Sequence, residues 1–232
     1  MGLKKRFKET EIGNFPLDWK IFKLSEVADV RDGTHDSPKY FDSGIPLVTQ
    51  KNLKNGIVEF ENIKYISKED AISINKRSKV SINDILISMI GTLGEISVVD
   101  KIPNFCIKNV ALLRDIKINN TYLKYFLKSK FYQDQLLKNQ EGGIQQFISL
   151  GKLRSSKISI PTKKDELTKI ISILVDIEKY INLFRKLLEK KINIHNIIKK
   201  KLILGTKRVN GFNKKWVYEK LSDILDYEQP GK

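Results

Sequence analysis

Between Asp165 and Leu204 the apolar residues Ile170, Leu174, Ile177, Ile181, Phe184 and Leu188 follow one another at spacings of four and three in alternation. Continuing the count reaches Lys191, His195, Ile198 and Leu202, so eight of ten positions are apolar. This is the 3.5-residue repeat of a coiled-coil seam. The stretch holds no Gly and no Pro, Thr162 and Asp165 form a cap-like opening behind Pro161, and Gly205 stands where a left-handed C-terminal cap belongs. At 1.5 Å per residue, about 40 residues make a helix about 60 Å long. Such a rod outreaches a small domain, and the chain has no second helix to match it. Its seam therefore calls for a partner helix on another molecule.

The preceding residues, 12 to about 160, follow another pattern. Ile45–Thr49, Ile85–Ile90, Ile96–Val99 and Val110–Ile116 are short runs rich in Ile, Val and Leu, bounded by Gly, Asn or Asp, and are predicted strands. Ser67 is placed to cap a helix through Glu69, Ala71 and Ile72. Asn120 or Thr121 opens another, with Leu123, Phe126, Leu127 and Phe131 at helical spacing. Gly91 and Gly94 fit a tight hairpin better than a phosphate-binding turn. Phe15 and Trp19 are expected in core packing. The fold class is α+β: a globular domain of mixed short strands and helices, then one long coiled-coil-forming helix.

Beyond Lys207 the chain begins to repeat itself. Phe15-Pro16-Leu17-Asp18-Trp19 matches Phe212-Asn213-Lys214-Lys215-Trp216, and Lys23-Leu24-Ser25-Glu26-Val27 matches Lys220-Leu221-Ser222-Asp223-Ile224, every pair offset by 197 positions. Over residues 15–30, six positions are identical and two are conservative changes, and both tryptophans of the chain lie on the match. The repeat unit is one globular domain plus one long helix, the mark of tandem duplication. Three segments follow: 1–161, 162–205, and 206–232 as the start of a second, incomplete copy.

Charge sharpens this picture. Lys and Arg number 43 against 27 acids, a formal net charge of +16. Such an excess favours a polyanion, nucleic acid or an anionic membrane. No apolar run approaches the roughly 20 residues that span a bilayer, and Met1–Thr10 lacks the apolar stretch of a signal peptide. The expectation is a cytoplasmic, nucleic-acid-binding protein without a membrane role. A Lys-, Ile- and Asn-rich composition inflates the basic count, so the placement of charge matters more than its sum. On the long helix, residues 163–184 carry four basic and four acidic side chains, whereas residues 185–201 carry seven basic ones and only Glu189. The second stretch suits a solvated face that complements the helix dipole, or contact with a DNA backbone or an acidic partner surface.

Catalytic signatures are missing: the sequence has no phosphate loop, nucleophile elbow, His-Glu-x-x-His or Asn/Asp-Pro-Pro-aromatic motif. The single Cys106 allows no disulfide within the chain and no multi-cysteine zinc site. A metal-dependent nuclease is conceivable from Asp115 and Lys117 with Asp84 or Asp100, but such spacings arise readily by chance. Side chains suited to DNA cluster in three places. Arg31, Thr34, His35, Lys39 and Tyr40 bond bases, grip phosphates or stack, although Asp32 and Asp36 argue against a pure phosphate clamp. Thr49, Gln50, Lys51 and Asn52 form a polar group at a strand end. Gln145 and Gln146, near Ser149 and Lys152, follow a Gly-Gly hinge, and glutamine reads adenine bidentately. A solvated connection is the alternative for each cluster. His195 and Lys191 read as polar seam positions that fix register.

Several stretches, taken in order with the helix and the repeat, carry a resemblance. They are Gly44–Thr49 with Asn52, Leu53 and Gly56, then Asp84–Ser88 with Gly91–Gly94. Asn109–Arg114, Ile158–Pro161 and Asp226–Pro230 follow. The chain resembles the specificity subunit of Type I restriction-modification systems over nearly its whole length. The resemblance implies two target-recognition domains, each reading half of a split double-stranded DNA site, spaced by two antiparallel helices. It implies a non-catalytic role beside a modification subunit, which carries S-adenosylmethionine, and a restriction subunit. This chain departs from that pattern in having one recognition domain, one helix and a stub. A homodimer is expected, through Ile170, Leu174, Ile177, Ile181, Phe184, Leu188, His195, Ile198 and Leu202. The rival readings are a stand-alone nuclease or methyltransferase, and a coiled-coil adaptor without DNA affinity.

Overall fold

The computed structural model describes residues 7–91, 93–138 and 147–225. In chain order the elements are β1 (Phe7–Thr10), β2 (Gly13–Pro16), β3 (Lys20–Lys23), α1 (Leu24–Val27), β4 (Asp29–Asp32), β5 (Ile45–Val48), β6 (Leu53–Lys54), β7 (Ile57–Val58) and β8 (Lys64–Ile66). They continue with α2 (Lys68–Ser78), β9 (Ile85–Ser88), β10 (Ile96–Val98), β11 (Cys106–Ile107), β12 (Val110–Arg114), α3 (Asn120–Lys128), α4 (Lys130–Lys138), α5 (Leu150–Ser155), β13 (Lys157–Ile160) and α6 (Lys164–Ile203). The chain forms two compact units, Met1–Leu174 and Val175–Lys232, whose boundary falls inside α6.

The centre of the first unit is a four-stranded sheet in the order β10-β9-β12-β4. Ile85, Ile87, Ala111 and Leu113 enter one core cluster, with Leu123, Leu127 and Tyr132 of the helices. Their alternates Leu86, Val110 and Leu112 enter a second, with Val48, Phe105 and Ile107. The sheet is thus buried on both faces, which is why β9 and β12 read as unbroken apolar runs rather than as alternating ones. A smaller sheet, β11-β5-β8, lies beside it, with β11 parallel to β5 and β8 antiparallel. The edge strand β4 is bonded from outside the sheet, where Arg154 donates through Nε and Nη2 to the Val30 carbonyl at 3.0 and 2.7 Å.

Ser67 caps α2, its side chain accepting from the Asp70 N–H at 3.0 Å. The next helix opens at Asn120, as expected, and Asn119 caps it, its Oδ1 accepting from the Tyr122 N–H at 3.0 Å. The apolar spacing that predicts one helix through Phe131 is divided between α3 and α4 at Ser129. That hydroxyl donates to the Phe126 carbonyl at 2.6 Å and accepts from the Tyr132 N–H at 3.2 Å, capping one helix as it opens the other. Phe15 and Trp19 are only partly buried; they stack with centroids 6.3 Å apart, and Phe15 meets Phe131 edge-on at 5.5 Å.

β13 pairs antiparallel with β3, so the strand that leads into α6 is bonded to the start of the domain. The Tyr122 hydroxyl donates to the Ser159 carbonyl at 2.7 Å, and the Tyr132 hydroxyl bonds Ser156 Oγ at 2.7 Å. Leu167, Ile170 and Ile171, in the first turns of α6, pack on the domain's own core, and the Trp19 indole N–H bonds Glu166 at 3.3 Å. Ile170 is therefore occupied within its own domain.

In the second unit, from Val175 onward, no residue of α6 is buried. Ile177, Ile181, Phe184, Leu188, Ile198 and Leu202 are exposed, as is His195. Tyr180, Leu187 and Ile194, each one residue before a seam position, are exposed as well and widen the stripe. Gly205 closes the helix at φ 66°, with the Trp216 ring against it. The repeated segment makes a sharp contrast between its two copies. Leu24 and Val27 are 0% and 4% exposed, whereas their counterparts Leu221 and Ile224 are 71% and 60% exposed.

Candidate nucleic-acid interface

Strand direction decides which loops can meet. β12 runs antiparallel to both β4 and β9, pairing Ala111 with Asp32 and Val110 with Ser88. The C-terminal ends of β4 and β9 therefore lie at the N-terminal end of β12. β11 lies parallel to β5, with Ile107 opposite Val48, and feeds β12 through Lys108 and Asn109. The C-terminal ends of β5 and β11 consequently come to the same rim. Phe147 bridges Ile90, and the Ile148 N–H donates to the Met89 carbonyl at 2.9 Å, which adds the start of α5. One edge thus gathers residues 33–41, 49–52, 89–91, 108–109 and 147–152.

The first of these loops is held by main-chain bonds. The Gly33 N–H donates to the Val110 carbonyl at 2.9 Å, Thr34 N–H to Ile107 at 3.0 Å, and Asn109 N–H to Thr34 at 3.1 Å. A Cβ on Gly33 would stand 2.3 Å from the Ile107 carbonyl oxygen, so only glycine allows this approach. Asn109 takes a left-handed φ of 54°, which asparagine tolerates well. Beyond the pinned section, Lys64 lies over the Tyr40 ring at 4.3 Å and Lys39 over Phe41 at 5.6 Å. Tyr40 and Phe41 are 39% and 43% exposed, which leaves a basic, aromatic surface of the kind that grips phosphates and stacks on sugars or bases.

The sequence-predicted candidates separate once their partners are known. Arg31 lies in β4, its guanidinium bonded to Asp29 at 2.8 Å and to the Arg77 carbonyl at 2.9 Å. Asn52 is buried: its Oδ1 accepts from the Thr49 N–H and hydroxyl, each at 3.0 Å, and its Nδ2 donates to the Glu59 carbonyl at 3.1 Å. His35 is bonded at both ring nitrogens, to Asp32 and Asn109, each at 2.8 Å. The Asp32 bond above all, then Asn109, raises its pKa above the ordinary value. Thr34 accepts from the Asp36 N–H at 3.1 Å, and Ser149 caps α5. These side chains build the rim. Gln50, Lys51 and Lys152 have no side-chain hydrogen bond to another described residue; Lys51, Lys152, Lys39 and Tyr40 are exposed and Gln50 is half-buried. A Cβ on Gly91 would lie 3.6 Å from Gln50 Cγ, so the turn after β5 lies close to the one after β9. Gln145 and Gln146 lie outside the described residues.

Two residues absent from the sequence-based set belong to this region. Arg77 of α2 pairs with the buried Asp32, and Lys108, 9% exposed, donates to Ser37 Oγ at 2.6 Å. Neither carries a local signal, because both act on residues more than 40 positions away in sequence.

Of the nuclease constellation the fold brings together Asp84 and Asp115 but neither Asp100 nor the Lys117 amine. Asp84 and Asp115 line one hollow of about 600 Å³ at the opposite end of the sheet, Asp100 lines another, and Lys117 Nζ donates to the Glu26 carbonyl at 3.1 Å. Burial raises the Asp84 pKa above its ordinary value. No group of three or more metal-binding side chains occurs among the described residues. Burial likewise pushes the Cys106 thiol up to about 11, so its reactive thiolate is disfavoured.

Comparison with known proteins gives a consistent result. The family model described as Type I restriction modification DNA specificity domain matches residues 16–193. The chain is 27% identical over 218 residues to the Type I restriction enzyme MjaVIII specificity subunit of Methanocaldococcus jannaschii, covering 90% of this chain and 51% of that one. It is 24% identical over 192 residues to the EcoBI specificity subunit of Escherichia coli, covering 75% and 40%. The chain thus spans about half the length of these relatives. Among solved structures, a chain from work on complex assembly and conformational transition of the type I R-M system superposes with a TM-score of 0.61 at 20% identity, covering 83% of this chain and 46% of that one. The HsdS subunit from Thermoanaerobacter tengcongensis gives a TM-score of 0.55 at 19% identity, covering 78% and 42%. At such identities these two likenesses concern the fold.

Proposed function

Because the chain belongs to the Type I restriction modification DNA specificity domain family, we propose that it recognises DNA sequence for a Type I restriction-modification complex and performs no chemistry itself. The observation that carries this reading is the convergence of five loops on one rim, with Lys51, Lys39, Tyr40 and Lys152 exposed there and Gln50 half-buried beside them. Basic side chains hold phosphates and set register, and Gln50 has the paired donor and acceptor that read an adenine edge. Methyl transfer from S-adenosylmethionine belongs to a separate modification subunit, and cleavage to a restriction subunit. The setting is the cytoplasm, where the DNA is; among the described residues no helix is long and apolar enough to cross a membrane.

The exposed stripe of α6 supports pairing with a second copy. Ile177, Ile181, Phe184 and Leu188 are each at least 45% exposed, and an apolar seam of this length in water drives association. Two helices pairing antiparallel create a two-fold axis, which places two identical recognition domains on one duplex. Two-fold symmetry calls for inverted half-sites separated by unread base pairs.

Selection of bound fragments from a random DNA pool, with the modification subunit present, tests this directly. The expected result is a palindromic, interrupted site. An asymmetric site would defeat the homodimer, and absence of enrichment would defeat DNA recognition. Methyl transfer or cleavage by the purified chain alone, given S-adenosylmethionine or magnesium, would defeat the non-catalytic assignment.

A further inference from the structure

We propose that His35 is a positioning residue which, as an imidazolium, clamps the loop 33–40 to the turn between β11 and β12, so that DNA affinity follows the charge of this ring. The inference rests on the reading of the rim as the DNA-facing surface. It begins with an atom count. Nε2 lies 2.8 Å from Asp32 Oδ2 and Nδ1 lies 2.8 Å from Asn109 Oδ1. Both partners are oxygens. A neutral imidazole has one N–H and can satisfy one of them, whereas the cation donates to both. With the Asn109 amide oriented as it is, deprotonation therefore breaks one of the two bonds, and a neutral ring keeps both only if that amide turns over to donate through Nδ2.

The surroundings favour the cation. Asp32 is 4% exposed and cannot gain compensation from solvent, and its other oxygen pairs with Arg77 of α2. Arg77 is the one cation opposing the charge on His35, and its effect is outweighed by the Asp32 and Asn109 bonds, which raise the ring's pKa above its ordinary value. From the other neighbouring elements, Arg31 is directed to Asp29 and the Arg77 carbonyl, and Lys108 to Ser37. Asp36, on the loop itself, bonds Thr34 through its N–H. The sign follows: the clamp is complete below the ordinary imidazole value of about 6.5 and is lost as pH rises through the raised value. The ring is exposed, but with both nitrogens engaged by Asp32 and Asn109 it has no donor left for a base, so His35 acts through Lys39 and Tyr40, which follow it on the same loop.

The test uses the full chain with its modification subunit on the selected duplex, reading affinity by anisotropy from about pH 6 to pH 9 at fixed ionic strength. His35→Arg keeps a permanent double donor and provides the reference. The ratio of wild-type to His35→Arg affinity should fall about tenfold across the range. His35→Gln should be weak throughout. Asn109→Gly removes the second acceptor and suits the left-handed backbone. It should weaken binding at low pH, and combining it with His35→Gln should add little, as for two halves of one contact. Thermal melts confirm that each variant is folded. A flat wild-type ratio, or additive losses for His35→Gln and Asn109→Gly, overturns the clamp while leaving DNA recognition standing. Failure of the wild type to select any duplex removes both. A loss of about one unit in the salt slope on His35→Gln alone, with Asn109→Gly harmless, marks a direct phosphate contact and also overturns it.

Discussion

Lys108 Nζ donates to Ser37 Oγ at 2.6 Å, joining residues 71 positions apart in sequence. The lysine is only 9% exposed, so its charged end is held in the protein rather than left in water. Together with the main-chain bonds of Gly33, Thr34 and Asn109, this contact makes the turn between β11 and β12 the base on which the loop after β4 is built. The loop is ordered before any ligand arrives, which reduces the entropy that binding must overcome.

Gly33→Ala tests that base. The added methyl would stand 2.3 Å from the Ile107 carbonyl oxygen, and its neighbours there are backbone. The expected loss is about 1–3 kcal/mol of stability, the usual range for overpacking a tight site. Thermal denaturation measures it. A variant as stable as the wild type would mean that the approach of the two loops is looser than described.

Gln50 and Lys51 are adjacent and should behave differently. Lys51→Ala should weaken binding to all sequences alike and reduce the slope of log affinity against log salt by about 0.9. Gln50→Ala should leave that slope unchanged, cost about 1–3 kcal/mol on the preferred site, and relax selection at one base pair. Titrations on two duplexes at several salt concentrations separate the two behaviours.

Ile177→Asp combined with Phe184→Asp places two charges in the exposed seam, at side chains that are 49% and 69% exposed in the single chain. The recognition domain makes no use of these positions for its own core, so the variant should fold normally and sediment as a monomer. An unchanged dimer, or a monomeric wild type at micromolar concentration, would remove α6 as the pairing element.

Deleting one heptad between Ile177 and Leu188 shortens the helix by about 10 Å, which corresponds to about three base pairs. The preferred spacer between half-sites should shorten while the half-site sequence stays the same. Repeating the pool selection with the deleted form gives the answer, and a spacer indifferent to helix length would count against a ruler.

Asp84 is buried, and the loss of solvent raises its pKa. A carboxyl so shifted favours folding in its protonated form, and that contribution disappears as pH rises through the raised value. Asp84→Asn keeps an acceptor for the Ser81 N–H, which Oδ2 accepts at 2.8 Å in the wild type. It should raise the melting temperature by roughly 1–3 °C near neutral pH and change it little in acid. A fall at neutral pH would show that the ionised carboxylate is stabilising.

Local pattern was enough to find the long helix, because a 3.5-residue repeat over about 40 residues has no competing interpretation and needs no knowledge of the rest of the chain. The same holds for the central strands, whose apolar runs report burial on both faces, and for the internal repeat, which is a property of the residues alone. Ser67 was legible as a cap because capping acts within three residues. The division of α3 from α4 was not, since Phe126, Leu127 and Phe131 keep helical spacing straight through Ser129 and only the capping geometry interrupts it. The site divided along the same line. Residue type placed Gln50, Lys39 and His35 among the candidates, but type cannot say where a side chain is spent. His35 and Asn109 are 74 positions apart, and Arg77 and Asp32 are 45 apart. Those pairings arise from strand order: β12 runs antiparallel to β4 and β9, and β11 parallel to β5, so that ends remote in sequence share one rim. Tertiary structure alone thus decided which polar residues build the surface and which are left to face DNA, because a hydrogen bond depends on distance in space and the sequence records only distance along the chain.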